Sequence, residues 1–139
     1  MITKETTWTV RLLKTDIPHV VRGVVYTGCE KGQFCEIDSQ GDWIRPDELR
    51  KAAWDFMRKS FMKKGRTIGN QHKEDAEATV VESYITPVDM EVEGELWKAG
   101  SWVVSVKVDD ESLWQRVESG ELNAFSLGGK GLRIESTPS

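Results

Sequence analysis

Histidine and cysteine are nearly absent from this chain, with two of each in 139 residues: His19 and His72, Cys29 and Cys35. That scarcity excludes a zinc finger or ribbon, because the cysteines have five residues between them and neither has a partner two residues away. In a reducing compartment both read as free thiols. No stretch approaches the roughly 20 consecutive apolar residues of a membrane span. The opening Met1-Ile2-Thr3-Lys4-Glu5 lacks the apolar core of a signal peptide, so a cytosolic protein with no membrane partner is expected. Positive charge is short as well, 19 Lys and Arg against 23 Asp and Glu for a formal charge of −4. Clustered phosphate contacts, and with them a nucleic-acid partner, are therefore not expected. The one basic cluster, Lys59 to Arg66, closes a helix, where cations complement the macrodipole. Repeats, low-complexity tracts and linkers are missing too, which leaves a single domain over 1–139 whose tail, 136–139, is free to fray.

What is present suffices for one core: 38% of residues are hydrophobic and 30% charged. The six tryptophans are expected to fill that core and its rim. Alternation and turn residues predict strands at Thr7 to Lys14 and Val20 to Tyr26, followed by a loop containing Ile37 to Trp43. Pro46 opens a helix with Asp47 and Glu48 in its first turn, Leu49, Ala52, Ala53, Phe56 and Met57 on one stripe, and Gly65 as its stop. The β-branched run Thr79 to Ile85 ends before Pro87, and Glu93-Gly94-Glu95 reads as a hairpin turn. Trp102 to Val108 is the clearest strand by alternation, and Asp109 or Asp110 caps a short helix stopped by Gly120. A serine-bearing strand and a last strand at Leu132 to Glu135 complete an α+β domain, a small and mainly antiparallel β-barrel or sheet flanked by helices.

The candidate chemistry sits in Asn123-Ala124-Phe125-Ser126-Leu127-Gly128-Gly129-Lys130-Gly131. Period-two alternation groups Ala124 with Ser126 and directs Phe125 and Leu127 to the core, leaving the serine beside a small neighbour where a substrate can approach. The backbone amides of Leu127, Gly128 and Gly129 follow at once and are candidate oxyanion donors. A strand-ending turn explains the glycines equally well, though not the hydroxyl before them. A serine hydroxyl attacks poorly until a base takes its proton, and neutral imidazole suits that task near neutral pH. His72 is the better of the two histidines, since His19 follows Pro18 and opens an apolar strand. Taken alone, His72 reads as a solvated loop residue among Lys73, Glu74 and Asp75.

Several short motifs occur in a telling order: Val20-Val21-Arg22-Gly23-Val24-Val25-Tyr26, Asp38-Ser39-Gln40-Gly41-Asp42-Trp43, His72, Val80-Val81-Glu82-Ser83-Tyr84-Ile85 with Pro87 and Asp89, Gly100-Ser101-Trp102-Val103, and Phe125-Ser126-Leu127-Gly128-Gly129. Together they resemble the XkdF-like family of phage serine proteases, which is similar to the prohead maturation proteases of tailed phages and more distantly to the herpesvirus assemblins. The resemblance implies a small β-barrel flanked by helices. It implies cleavage of scaffold or of a segment of the major capsid protein, inside the procapsid in the host cytoplasm, with no cofactor. Ser126 matches the nucleophile and His72 the general base. The assemblins use a second histidine after the serine, and this chain has none beyond His72.

For the group that would orient His72, Glu82 and Glu135 are both candidates, and a dyad completed by water is a third arrangement. Glu82 is favoured, because an acid isolated in so apolar a run asks for a partner. Lys130 and Arg133 are placed to assist the oxyanion or an acidic substrate, whereas Gly128-Gly129-Lys130-Gly131 lacks the spacing of a phosphate loop. The leading reading is a phage head-maturation serine endopeptidase. The alternative is a non-catalytic capsid-assembly or scaffold-binding domain of the same fold, and self-association is left open.

Overall fold

The computed structural model describes residues 8–28, 44–62, 78–128 and 131–136. The chain runs β1 (Trp8–Arg11), β2 (Leu13–Lys14), β3 (Val20–Thr27), α1 (Pro46–Met62), β4 (Ala78–Ile85), β5 (Met90–Val92), β6 (Glu95–Trp97), β7 (Ser101–Val108), α2 (Glu111–Glu118), β8 (Ala124–Gly128) and β9 (Gly131–Glu135). The loop expected at Ile37 to Trp43, both cysteines and the helix stop at Gly65 lie outside the described residues.

Among the described residues pairing is antiparallel throughout, in a four-stranded sheet ordered β2-β3-β7-β4, a three-stranded sheet ordered β1-β8-β9 and a hairpin, β5-β6. The fold is α+β. Of the two arrangements left open by sequence, barrel and sheet, the described strands form open sheets rather than a closed barrel. The expected strand Thr7 to Lys14 is split. At Leu12 the amide donates to the Asn123 carbonyl at 3.0 Å, and the chain passes from the three-stranded sheet to the four-stranded one. Such a sheet-switching bend makes a corner between two packed sheets.

The core fills the space between the sheets. Trp102, Val104, Val106 and Val108 of β7 face Val10, Phe125, Leu127 and Leu132 of the other sheet, and Leu49 and Ala53 of α1 join them. Trp8 lies edge-on to Tyr26 and Trp102 at 5.7 and 5.6 Å, and Phe56 of α1 meets Trp102 at 5.7 Å. The buried Trp102 indole donates to Ser83 Oγ at 2.9 Å. Four tryptophans are thus interior, as expected; Trp54 is 63% exposed on the outer side of α1. β7 departs from simple alternation, since every residue except Lys107 is buried. It is a central strand, and its second face carries the buried Ser101 and Ser105, whose hydroxyls are hydrogen-bonded to Lys98 O and Glu82.

Local signals are realised closely. The hairpin turn has φ of 50° at Glu93 and 81° at Gly94, the doubly positive geometry that matches strand twist. Asp110 is the cap of α2, accepting from the Leu113 amide at 2.8 Å, while Asp109 pairs with Lys107. His19 stacks on Trp114 at 4.9 Å. Among the described residues no helix is long and apolar enough to cross a membrane.

β1 passes close over Gly23 of β3, where a Cβ would stand 2.5 Å from the Arg11 carbonyl oxygen and 2.5 Å from Val10 Cγ1. Because one obstacle is backbone, repacking cannot relieve it. Gly23→Ala is expected to cost about 3 kcal/mol, seen as a lower urea midpoint at unchanged slope.

Candidate active site

Ser126 lies in the middle strand of the three-stranded sheet, opposite Thr9 of β1 and Arg133 of β9. Its neighbours Phe125 and Leu127 are fully buried, and Ser126 is half-buried on the reverse, outer face beside the buried Ala124. The strand does not end at the serine. It continues to Gly128, which pairs with Gly131 across the hairpin. Gly129 and Lys130 lie outside the described residues, as does His72.

That continuation decides where the amides go. Bonded pairs recur at every second residue of an antiparallel ladder. The Leu12 to Asn123 bond therefore sets Phe125 with Val10 and Leu127 with Trp8 as further bonded pairs. The Leu127 amide is directed at the Trp8 carbonyl, and the Ser126 and Gly128 amides turn toward β9.

The register also assembles the outer face around the serine. Arg11 is opposite Ala124 on one side and Glu135 is opposite Ala124 on the other, so positions 9, 11, 124, 126, 133 and 135 share that face. Arg11 Nη1 donates to Glu95 Oε2 of β6 at 2.6 Å, which ties the β5-β6 hairpin to the edge of this surface. Sequence reasoning missed Thr9 and Arg11, since nothing local couples them to residues more than a hundred positions away.

Glu82 stands elsewhere. It pairs with Ser105 on the face of the four-stranded sheet turned away from Val104 and Val106, so the shared core lies between it and the Ser126 face. Sequence favoured Glu82 because it lacked a partner, and the fold supplies two: Glu82 Oε1 accepts from Ser105 Oγ at 2.6 Å and from Arg22 Nη2 at 2.8 Å. Arg22 Nε donates in turn to Ser105 Oγ at 2.7 Å. The Ser105 hydroxyl, and after it the Arg22 guanidinium, hold the Glu82 carboxyl below its ordinary value of 4.5. A carboxyl depressed by folding stabilises the protein above its unfolded value and loses that contribution as pH falls through the folded one. The thermal midpoint of the parent is therefore expected to exceed that of Glu82→Gln near neutrality, with the gap closing once pH drops below 4.5. A midpoint series over pH 2 to 7, a window set by ordinary carboxyl titration, checks this. Among the described residues no three His, Cys, Asp or Glu side chains converge as a metal set.

Residues 9–135 match the family model described as "Putative phage serine protease XkdF". The chain belongs to that family. The match is wider than the motif resemblance, taking in β1 from Thr9 onward and all of β9. Two curated relatives come from Bacillus subtilis (strain 168). The "Uncharacterized protein YqbD" is 35% identical over 129 residues, 91% of this chain and 36% of that protein. The "Phage-like element PBSX protein XkdF" is 30% identical over 102 residues, 73% of this chain and 35% of that protein. The chain thus spans about a third of the length of these relatives. No solved structure matches it.

Proposed function

We propose that this domain is a serine endopeptidase of phage head maturation, cleaving scaffold or a segment of the major capsid protein inside the procapsid. The observation that carries the reading is the family match over residues 9–135, which includes the strand presenting Ser126 on an outer face beside small Ala124. Ser126 Oγ attacks the scissile carbonyl, and His72 takes its proton and returns it to the leaving amine. This acyl transfer calls for no metal or organic cofactor. Since the Leu127 amide is turned into the ladder with β1 and the Gly128 amide toward its β9 partner Gly131, we assign oxyanion donation to the glycine amide beyond them, that of Gly129. Since Glu82 has Arg22 and Ser105 as partners across the core, we give the role of orienting His72 to Glu135, whose register position shares the Ser126 face. In a procapsid the substrate is held at high effective concentration, so weak intrinsic affinity suffices.

A fluorophosphonate probe is expected to label this protein at Ser126 alone. Co-expression with its cognate scaffold and capsid proteins should give cleaved products in assembled shells. Labelling elsewhere, or shells containing only intact proteins, would favour the non-catalytic scaffold-binding alternative.

A further inference from the structure

Arg11 is the one described cation on the Ser126 face whose side-chain contacts are defined, and its partner comes from a different part of the fold. β1 is antiparallel to β8 with Arg11 opposite Ala124 and Thr9 opposite Ser126, so Arg11 and Ser126 are diagonal neighbours on one surface. Diagonal positions on an antiparallel pair are about 7–8 Å apart, within reach of a long side chain. The Arg11 side chain is 74% exposed, and Glu95, its partner at 2.6 Å, is 35% exposed. An ion pair this open to water is only weakly favoured and exchanges readily with a competing carboxylate. The position directly opposite Ser126 on β9 is a second arginine, Arg133. Two arginine positions and one glutamate position on a single small face contrast with the formal charge of −4 on the whole chain.

We infer that Arg11 is a specificity residue, reading an aspartate or glutamate side chain about two residues from the scissile bond, with Glu95 as the internal carboxylate it releases. The inference deepens the protease reading and rests on it for the location of the scissile bond. An extended peptide lying over Ser126 repeats its side chains on one side every second residue, about 6.7 Å apart. That repeat matches the diagonal spacing from Ser126 to Arg11. The guanidinium suits the task, because its planar fork takes a carboxylate through two parallel hydrogen bonds. Glu95 engages the fork in the absence of substrate. It also tethers the β5-β6 hairpin to the edge strand β1, next to the nucleophile strand β8 in the sheet.

The test separates binding from cleavage. Decapeptide arrays that differ only by Glu or Gln at one position are titrated against the full chain carrying Ser126→Ala, and the same peptides are offered to the parent. Glu is expected to bind about tenfold tighter than Gln at one position, the scale of a charge-assisted pair. In the Ser126→Ala background, Arg11→Ala should erase that preference, while Glu95→Gln should strengthen it by removing the competitor. A merely structural role for the ion pair predicts the reverse pattern: Arg11→Ala and Glu95→Gln weaken all peptides alike, whichever residue they carry. That result, or equal binding of Glu and Gln peptides at every position, overturns the inference. Acidic preference without cleavage by the parent would keep Arg11 as a reader of carboxylates and strike the protease reading alone.

Discussion

Ser126→Ala is expected to lower turnover on the order of a million-fold while leaving the thermal midpoint within a degree or two of the parent, the pattern of a residue that acts in the transition state rather than in the fold. The side chain is half-buried on an outer face and its removal opens no core cavity, since the inward neighbours Phe125 and Leu127 are untouched. His72→Ala should cost about as much, and the double variant no more than either single one, because nucleophile and base act as a unit. Single-turnover cleavage of a co-expressed scaffold fragment measures both losses. Full cleavage by the alanine variant would end the enzyme reading.

If Glu135 orients His72 as proposed, Glu135→Gln is expected to produce the second large loss, roughly 10⁴ in rate, the scale seen when the group that orients a catalytic imidazole is neutralised but keeps its shape. Glu82→Gln is expected to stay within a few-fold in rate and to show itself in stability, because its carboxylate is engaged by Ser105 and Arg22 on the far side of the core. The two variants thus exchange signatures. A large loss at Glu82 would mean that the network yields its carboxylate to His72. Small losses at both leave a Ser126 and His72 dyad. Running the rate-pH profile alongside sharpens the comparison, since loss of the orienting carboxylate shifts the apparent pKa of the base, whereas a stability effect does not.

Helix α1 was readable almost residue by residue, because its signals are local: Pro46 at the start, Asp47 and Glu48 in the first turn, and a stripe that includes the buried Leu49 and Ala53. The Glu93-Gly94 hairpin and the Asp110 cap were legible for the same reason. The split at Leu12 was not, because the bond that bends the strand there comes from Asn123. The double burial of β7 was equally hidden, since it depends on having β3 and β4 on either side. At the candidate site, alternation put Phe125 and Leu127 inward, and both are buried. The partners of Glu82 lie 60 and 23 residues away and the partner of Arg11 lies 84 away, separations at which no periodicity carries information.

The sequence by itself determined which segments become strands and helices, which face of β8 holds a hydroxyl and that the motifs follow the order of a phage serine protease family, because side-chain period, caps and turn residues act over a few positions. Only the tertiary structure decided that β8 is a central strand, that the Leu127 amide is turned into a ladder, that Arg11 borders the serine and that Glu82 belongs to a different surface. Those outcomes follow from strand pairing, where neighbours are chosen by the joint burial of distant apolar faces and the obligation to satisfy every backbone donor between them.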